Sequence, residues 1–373
     1  MSSATDQATQ GRLIGRSQIE DLVVVPLFAL GAALILGAVI MAATGVDLAT
    51  VGQSYVALVQ GSIGSTNAVS ETLTAAAPLV LAGLGLALGF RAGLFNIGAE
   101  GQVIMGGLAA VVAGVALGDY PTVIALPGAI LAGALTGAFY ASIAGWLRAV
   151  TGAHEVISTI MLNLISYRLL DYLLRTPLIQ KEGRADPISK SVPDAAELPR
   201  LLTFIDPNLR LHAGIFLTLA MVALAYWLLF RSKLGFEFRA SGENPVAARF
   251  AGMNASLTII LAMAVAGAMA GLAGANQVLG VLDRATPGFS AGIGFDAIAV
   301  ALLGRSHPVG VLFAGLLFGA LEAGGRQMQV DAGVSIDLIG IIQSLIIVFI
   351  AAPLLVRALF PWGFRKQGQG GGT

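Results

Sequence analysis

Two polar segments interrupt the apolar runs of this sequence and contain groups that could bind or pass a polar solute. The first covers residues 90–102, where Asn96, Glu100 and Gln102 stand among three glycines. Polar side chains at membrane depth face protein or a water-filled path, and glycine permits irregular backbone. The segment therefore indicates either a broken membrane helix beside a translocation path or an ordinary cytoplasmic turn, and both interpretations stay open at this point.

The second polar segment, residues 152–163, lies where another apolar run begins. Glu155 stands at the start of that run, where a helix dipole favours a carboxylate, so a purely structural role is open beside a functional one. Asn163 lies well inside the run and must find a hydrogen-bonding partner there. Asp296 interrupts a further apolar run and has no evident local partner. The candidates for a substrate path are Asn96, Glu100, Gln102, Glu155, Asn163 and Asp296.

A third segment, residues 231–254, is hydrophilic and contains a pattern typical of a complete short helix. Asn244 is a favourable N-cap, Pro245 suits the first helical position, and Gly252 suits the C-terminal stop. A capped helix between membrane spans predicts a docking element for a cytoplasmic partner, and a helix lying on the membrane interface is the alternative. The candidate contact residues are Glu243, Asn244, Pro245, Ala247, Ala248 and Arg249.

The composition shows which elements must position these segments. Only 11% of the 373 residues are charged and 56% are hydrophobic, with a mean hydropathy of +0.84, whereas soluble domains carry about a quarter charged residues. Continuous apolar runs satisfy their backbone in lipid as helices, while a membrane barrel would alternate polar and apolar residues. The sequence therefore predicts an all-α, polytopic membrane protein with about ten transmembrane helices. The predicted spans are residues 22–43, 72–90, 103–118, 122–147, 156–174, 212–230, 255–277, 291–304, 309–323 and 335–356.

The positions of Lys and Arg near the span ends place both chain termini in the cytoplasm. The organisation predicted from this is a cytoplasmic N-terminus at residues 1–21, a membrane domain at 22–356 and a cytoplasmic tail at 357–373. Within the membrane domain, residues 175–211 form an extracytoplasmic loop and residues 231–254 form a cytoplasmic loop.

Pairs of glycines four residues apart recur inside the predicted spans. This spacing lets helix backbones approach closely. We expect the pairs to serve packing within the bundle rather than dimerisation. They are Gly133/Gly137, Gly267/Gly271 and Gly315/Gly319.

Several function classes lack the residues that they need. The sequence contains no cysteine and carries no net charge, so disulfides, thiolate metal sites and an electrostatic nucleic-acid surface are excluded. It has no phosphate-binding loop of the Gly-x-x-x-x-Gly-Lys-[Ser/Thr] type, no His-Glu-x-x-His and no Gly-x-Ser-x-Gly. The chain is therefore expected to need no cofactor, to bind no metal and not to hydrolyse ATP itself.

The polar segments resemble the motifs of one transporter family. Residues 90–102, Phe-Arg-Ala-Gly-Leu-Phe-Asn-Ile-Gly-Ala-Glu-Gly-Gln, are similar to a motif of ABC importer permeases for nucleosides and simple sugars. That group also includes permeases for branched-chain amino acids and ribose. Residues 155–163 resemble a second motif of the nucleoside branch, and residues 242–248 resemble the segment that contacts the ATPase. The likeness covers about residues 20–360.

The resemblance implies a permease subunit that forms the path for a small polar solute, most readily a nucleoside, with a simple sugar as the alternative. It implies two inverted-topology halves, a cytoplasmic ABC ATPase subunit, a second and different homologous permease, an extracytoplasmic solute-binding protein and a place in the lipid of a bacterial inner membrane. An ATP-independent secondary transporter or channel and a membrane-embedded enzyme are the other classes. The helix at residues 242–252 discriminates, because a secondary transporter needs no docking element.

Overall fold

The computed structural model describes residues 25–335 and 337–351, and every structural statement below concerns these residues. They form α-helices, most of them joined by short connections, and apart from two isolated bridges they contain no β-structure. The predicted N-terminus at 1–21, the tail at 357–373 and the outer ends of the first and last predicted spans lie outside the described residues. The helices are α1 (Val25–Ala43), α2 (Leu48–Ile63), α3 (Thr66–Arg91), α4 (Ala99–Ala116), α5 (Thr122–Thr151), α6 (Glu155–Leu173), α7 (Gly214–Arg231), α8 (Lys233–Glu243), α9 (Pro245–Phe250), α10 (Ala255–Gln277), α11 (Ile293–Leu303), α12 (Pro308–Ala332) and α13 (Asp337–Ala351).

The all-helical membrane architecture is confirmed, but the count of ten spans is not. Among the described residues, seven helices are long and apolar enough to cross a membrane: α3 to α7, α10 with its extension to Leu282, and α12. The predicted span at 291–304 is wrong as a full crossing, because α11 has 11 residues, which rise about 16 Å against a hydrocarbon layer of about 30 Å. The inverted relation of two halves stays a prediction.

Polar residues hide one helix and the end of another from the sequence prediction. The helix α2 was not predicted, since Gln53, Ser54 and Gln60 break the apolar pattern of its sequence. The predicted span at 309–323 ended before Arg326, whereas α12 continues to Ala332. A charged residue inside a membrane helix is tolerated where a partner lies opposite, and sequence does not show the partner.

The described residues fall into two compact units. Residues 54–333 form the larger unit, which contains all the polar segments discussed above. In the smaller unit, composed of the described residues up to Gln53 and from Val334 onward, α1 packs against α13.

Glycines bring the helices α4, α5 and α10 into backbone contact at the centre of the larger unit. A side chain added at Gly271 would meet the backbone of Gly133 and Gly137, and one added at Gly267 would meet the backbone of Gly137. A side chain added at Gly106 on α4 would also meet the backbone of Gly271. The expected packing role of these glycine pairs is therefore confirmed. The remaining pair, Gly315 and Gly319 on α12, packs against α3.

Replacing Gly271 with valine is expected to destabilise the bundle, because three helix backbones leave no volume at this position. Overpacking of a close-packed interior typically costs about 1–3 kcal/mol. Thermal unfolding of the detergent-solubilised protein would measure the loss. Gly340→Val on α13 is the matched control, since a side chain there meets no atom within 4 Å. Equal unfolding temperatures for the two variants would contradict the packing argument.

The connection at residues 175–211 is a folded cap rather than a free loop. Ile179, Val192 and Ala196 are buried in a core cluster with residues of α4 and α5. Its backbone is bonded to the segment after α10: Val192 N–H donates to the Asp283 carbonyl at 2.7 Å, and Leu198 N–H donates to the Leu279 carbonyl at 2.8 Å. We call this end of the bundle the cap end, and the end that carries α8 and α9 the helix-pair end.

Candidate functional site: a broken helix, an exposed capped helix and a charged network

The irregular segment 92–98, between α3 and α4, runs alongside the first turns of α6 instead of lying outside the bundle. Phe95 N–H faces the Glu155 carboxylate at 3.4 Å, at the start of α6. Two turns further along, the Asn163 side chain accepts a hydrogen bond from Gly101 N–H at 2.8 Å and donates one to the Ile97 carbonyl at 2.9 Å. Because a helix rises 1.5 Å per residue, α4 begins about 10 Å inside the helix-pair end. Of the two interpretations of this segment, the geometry favours the broken membrane helix.

Glu100 lies where the beginnings of two helices meet. It stands in the first turn of α4, and its carboxylate accepts hydrogen bonds from Ser290 O–H at 2.5 Å, Gly294 N–H at 2.8 Å and Tyr167 O–H at 3.2 Å. Gly294 belongs to the first turn of α11, so one carboxylate satisfies a free N–H there and neutralises the positive ends of both helices. The side chain is fully buried.

Asn96, Gln102 and Asn163 complete a buried polar centre around the break. The Asn96 and Gln102 amides exchange two hydrogen bonds, at 3.0 and 3.1 Å, and Asn96 also accepts from Gly98 N–H at 2.9 Å. All three side chains are at most 3% exposed and fully engaged with protein. These residues therefore brace the irregular backbone, since a side chain that contacts solute must be reachable by it.

Glu155 holds the helix-pair end of the same region together. It is the first residue of α6 and forms an ion pair with Arg148, near the end of α5. Its carboxylate also faces Phe95 N–H, so three elements meet on one side chain. The sequence leaves a structural and a functional role open for Glu155, and this geometry corresponds to the structural one. The partner Arg148 was not foreseen, because it precedes the glycine turn that separates the two helices.

Asp296 is the one predicted path residue that the structure does not bring into the buried polar centre by a hydrogen bond. It lies in the first turn of α11 and is partly exposed. Within the described residues its carboxylate makes no hydrogen bond, and the acidic side chains of Glu322 and Glu100 repel it. Among the six predicted residues, it is the one with a free carboxylate.

The predicted docking helix is present as α9, with the caps that the sequence indicated. The Asn244 side chain accepts hydrogen bonds from Val246 N–H at 3.1 Å and Ala247 N–H at 2.9 Å, and Gly252 adopts a positive φ of 82° beyond the helix end. A second helix, α8, precedes it and was not predicted. Gly242 near its end packs on the backbone of residues 91–93. The helix pair is thus attached directly to the broken segment.

The exposure of α9 changes the set of candidate contact residues. Ala248 is only 5% exposed and packs against its own chain. It is therefore removed from the set of predicted contact residues. Ala247, Glu243, Asn244, Pro245 and Arg249 are exposed. Two large apolar side chains, Val246 at 62% and Phe250 at 90% exposure, project from the helix beside them. Such apolar exposure on a rigid helix is typical of a protein interface.

Comparison with known proteins identifies the family to which this arrangement belongs. The sequence profile of a family described as "Branched-chain amino acid transport system / permease component" matches residues 68–351. The guanosine ABC transporter permease protein NupP of Bacillus subtilis is 39% identical over 89% of this chain and 94% of its own length. The chain belongs to this family of ABC importer permeases. It is a transport component rather than an enzyme, and a multi-pass membrane protein.

Two further relatives of the permease differ in the solute that their names state. The glucose ABC transporter permease protein TsgB13 of Haloferax volcanii is 38% identical over 87% of this permease and 86% of its own length. The nucleoside ABC transporter permease protein NupB of Lactococcus lactis is 34% identical over 91% of this permease and 93% of its own length. No solved structure matches the permease. The family implies in general an ATPase, a partner permease and a solute-binding protein.

The permease also carries a charged network at the cap end that the sequence analysis missed. Arg210, in the cap, donates to Glu71 on α3 at 2.8 Å, and this bond raises the pKa of Arg210 above its ordinary value. Arg326 on α12 lies 3.4 Å from the same carboxylate and 3.2 Å from Glu322, one turn away on its own helix. The only sequence signal was the i,i+4 spacing of Glu322 and Arg326 inside an otherwise apolar run.

Proposed function

We propose that this permease imports nucleosides across a bacterial inner membrane, with the cap end outside and both chain termini in the cytoplasm. The observation that carries the proposal is its similarity, over nearly full length, to relatives whose names state guanosine and nucleoside transport. The proposed partners are a cytoplasmic ATPase subunit on α9, a second and homologous permease, and a solute-binding protein on the cap. Residues 1–21 and 357–373 are proposed as cytoplasmic segments.

The buried polar centre supports a transport role through its position. Glu100, Asn96, Gln102 and Asn163 fix an irregular backbone inside the bundle, and such backbone is tolerated at membrane depth where protein or a water-filled cavity surrounds it. Transporter folds place solute sites at discontinuous helices, and both α4 and α11 begin inside the bundle here. We propose that this centre holds the two helix beginnings beside the path, with Asp296 facing it.

A simple sugar is the second candidate solute, because the glucose permease relative is nearly as similar as the guanosine permease relative. Uptake of radiolabelled guanosine and glucose by vesicles containing the complete importer would decide between the two. We expect ATP-dependent guanosine accumulation that unlabelled nucleosides suppress, and no ATP hydrolysis by the isolated permease. Accumulation of glucose but not of guanosine would show that the solute is a sugar and would contradict nucleoside import. Accumulation of either solute without ATP would contradict the ABC mechanism for this chain.

A further inference from the structure

The helix α11 is held at both ends by one short stretch of chain, residues 91–100. At its beginning, Gly294 N–H donates to the Glu100 carboxylate at 2.8 Å. Just beyond its other end, Nε of the Arg91 side chain donates to the Ser306 carbonyl at 3.0 Å. An anion at the N-terminus of a helix and a cation at its C-terminus both complement the helix dipole. The helix α11 and residues 91–100 therefore form one electrostatically matched unit.

The turn between α11 and α12, residues 304–307, has a strained backbone that Arg91 fixes. Arg305 and Ser306 both adopt a positive φ, 54° and 52°, which residues other than glycine rarely do. Such a conformation persists only where the surrounding structure holds it. The Arg91 guanidinium donates to the carbonyls of both residues, at 3.5 Å for Arg305 and 3.0 Å for Ser306. Arg91 therefore holds the turn in place from the end of α3.

The same turn is connected to the helix pair α8 and α9 by two routes. In the first, Gly242 near the end of α8 packs on the Arg91 carbonyl. In the second, the Arg239 guanidinium of α8 lies over the Phe230 ring, 5.4 Å from its centroid, and that ring lies 5.3 Å from the His307 ring at the end of the turn. Cation–π and ring contacts at these distances are attractive. A displacement of α8 therefore reaches the turn through backbone and side-chain contacts.

We propose that Arg91 is a positioning residue for transport, which makes α11 follow the helix pair when the ATPase subunit moves that pair. The inference rests on the proposed function and names a residue that acts between the ATPase contact and the path. The 11 residues of α11 span about 16 Å, and a short helix bound at both ends moves as a rigid body. A shift of the turn is therefore delivered to the first turn of α11, which contains Asp296 and binds Glu100. Without Arg91 only the His307 route remains, so α11 follows the helix pair less completely.

The variant Arg91→Gln in the complete importer is expected to separate ATP hydrolysis from uptake. It leaves α9 and its exposed surface unchanged, so the ATPase subunit should co-purify normally and hydrolyse ATP at the wild-type rate. The amount of guanosine imported per ATP is expected to fall at least about 10-fold, within the range of typical allosteric couplings. Arg231→Gln is the matched control, because it removes an exposed arginine at the end of α7 and should leave this ratio unchanged.

The variant Arg91→Lys carries the test if Arg91→Gln does not assemble. Lysine keeps the charge but lacks the planar fork that reaches two carbonyls, so we expect the imported guanosine per ATP to fall about 3-fold. An unchanged ratio in the variant that assembles would overturn the proposal. A fall of ATP hydrolysis and uptake by the same factor would also overturn it, because Arg91 would then only stabilise the fold.

The Arg91 contact can also be replaced by a covalent one, because the chain contains no native cysteine. Arg91→Cys combined with Ser306→Cys is expected to import little guanosine per ATP. Joining the two thiols with a short bifunctional reagent should restore the ratio to within about 2-fold of wild type. A ratio that stays low after crosslinking would contradict a rigid link between the two positions. If the wild-type importer imports glucose and no guanosine, the nucleoside proposal fails separately, and the same ratio is measured with glucose.

Discussion

A permease carrying Phe250→Asp is expected to lose its ATPase subunit and, with it, ATP-driven uptake. Phe250 is 90% exposed at the end of α9, and Val246 lies one turn earlier on the same face. Aromatic side chains at the centre of an interface commonly contribute about 2–4 kcal/mol. A buried carboxylate in the same place adds a desolvation cost. We therefore expect the affinity for the ATPase to fall at least about 30-fold.

The caps of α9 explain why this surface can transmit force. The Asn244 side chain fixes the first turn through two hydrogen bonds, and Pro245 fixes the backbone at the first helical position. Gly242 packs on the backbone next to Gly93, so motion of the helix pair reaches the segment that leads into α4. A contact that shifts α9 therefore acts on the broken helix through a continuous chain of packed groups.

Co-purification of the ATPase with the permease, measured together with uptake, would check this prediction. Lys233→Glu is the matched control, because its side chain is 91% exposed on α8, on the same polar stretch but outside α9. Ala247→Glu should resemble Phe250→Asp, since Ala247 is exposed on the same helix. Normal assembly and normal uptake by Phe250→Asp would show that the ATPase contact lies elsewhere on the permease.

Local sequence patterns predicted the structure correctly where a single segment supplies its own hydrogen-bonding or packing partners. The N-cap of Asn244, the positive φ of Gly252 and the packing of the glycine pairs follow from chemistry within a few residues or from backbone approach alone. The polar segments were also located correctly, because a polar group inside an apolar run is costly wherever it lies. These features can be predicted without knowing which helices are neighbours.

The partners of the polar residues could not be predicted, because they come from distant parts of the chain. Glu100 is bonded to Ser290 and Gly294, and Glu71 to Arg210, across separations that no local pattern encodes. The same reason explains the wrong span at 291–304: α11 begins inside the bundle because Glu100 satisfies its first turn. The sequence shows an apolar run that contains Asp296, but it does not show that the distant Glu100 carboxylate binds the first turn of the helix and lets it begin inside the bundle.

Glu100→Gln is expected to destabilise the permease strongly, although the substitution preserves the shape of the side chain. The carboxylate accepts three hydrogen bonds, from Ser290, Gly294 and Tyr167. A glutamine offers one acceptor oxygen, and its NH₂ group would face either the Gly294 N–H or the two hydroxyl groups. A buried donor left without an acceptor costs about 1–3 kcal/mol, and loss of the negative charge removes a favourable interaction with two helix dipoles.

The destabilisation should appear in the unfolding temperature of the purified permease and in lower uptake by the complete importer. Asp331→Asn is the matched control, because it removes an exposed carboxylate near the end of α12 whose nearby partner is Gln327. Ser290→Ala removes one of the three donors and is expected to cost less than Glu100→Gln, since the other two hydrogen bonds and the charge persist. If Glu100→Gln unfolds at the wild-type temperature, the carboxylate does not hold α4 and α11 together. A normal unfolding temperature with abolished uptake would instead place the charge of Glu100 in transport itself, because removal of the charge would then have spared the packing of the two helix beginnings while stopping solute passage beside them.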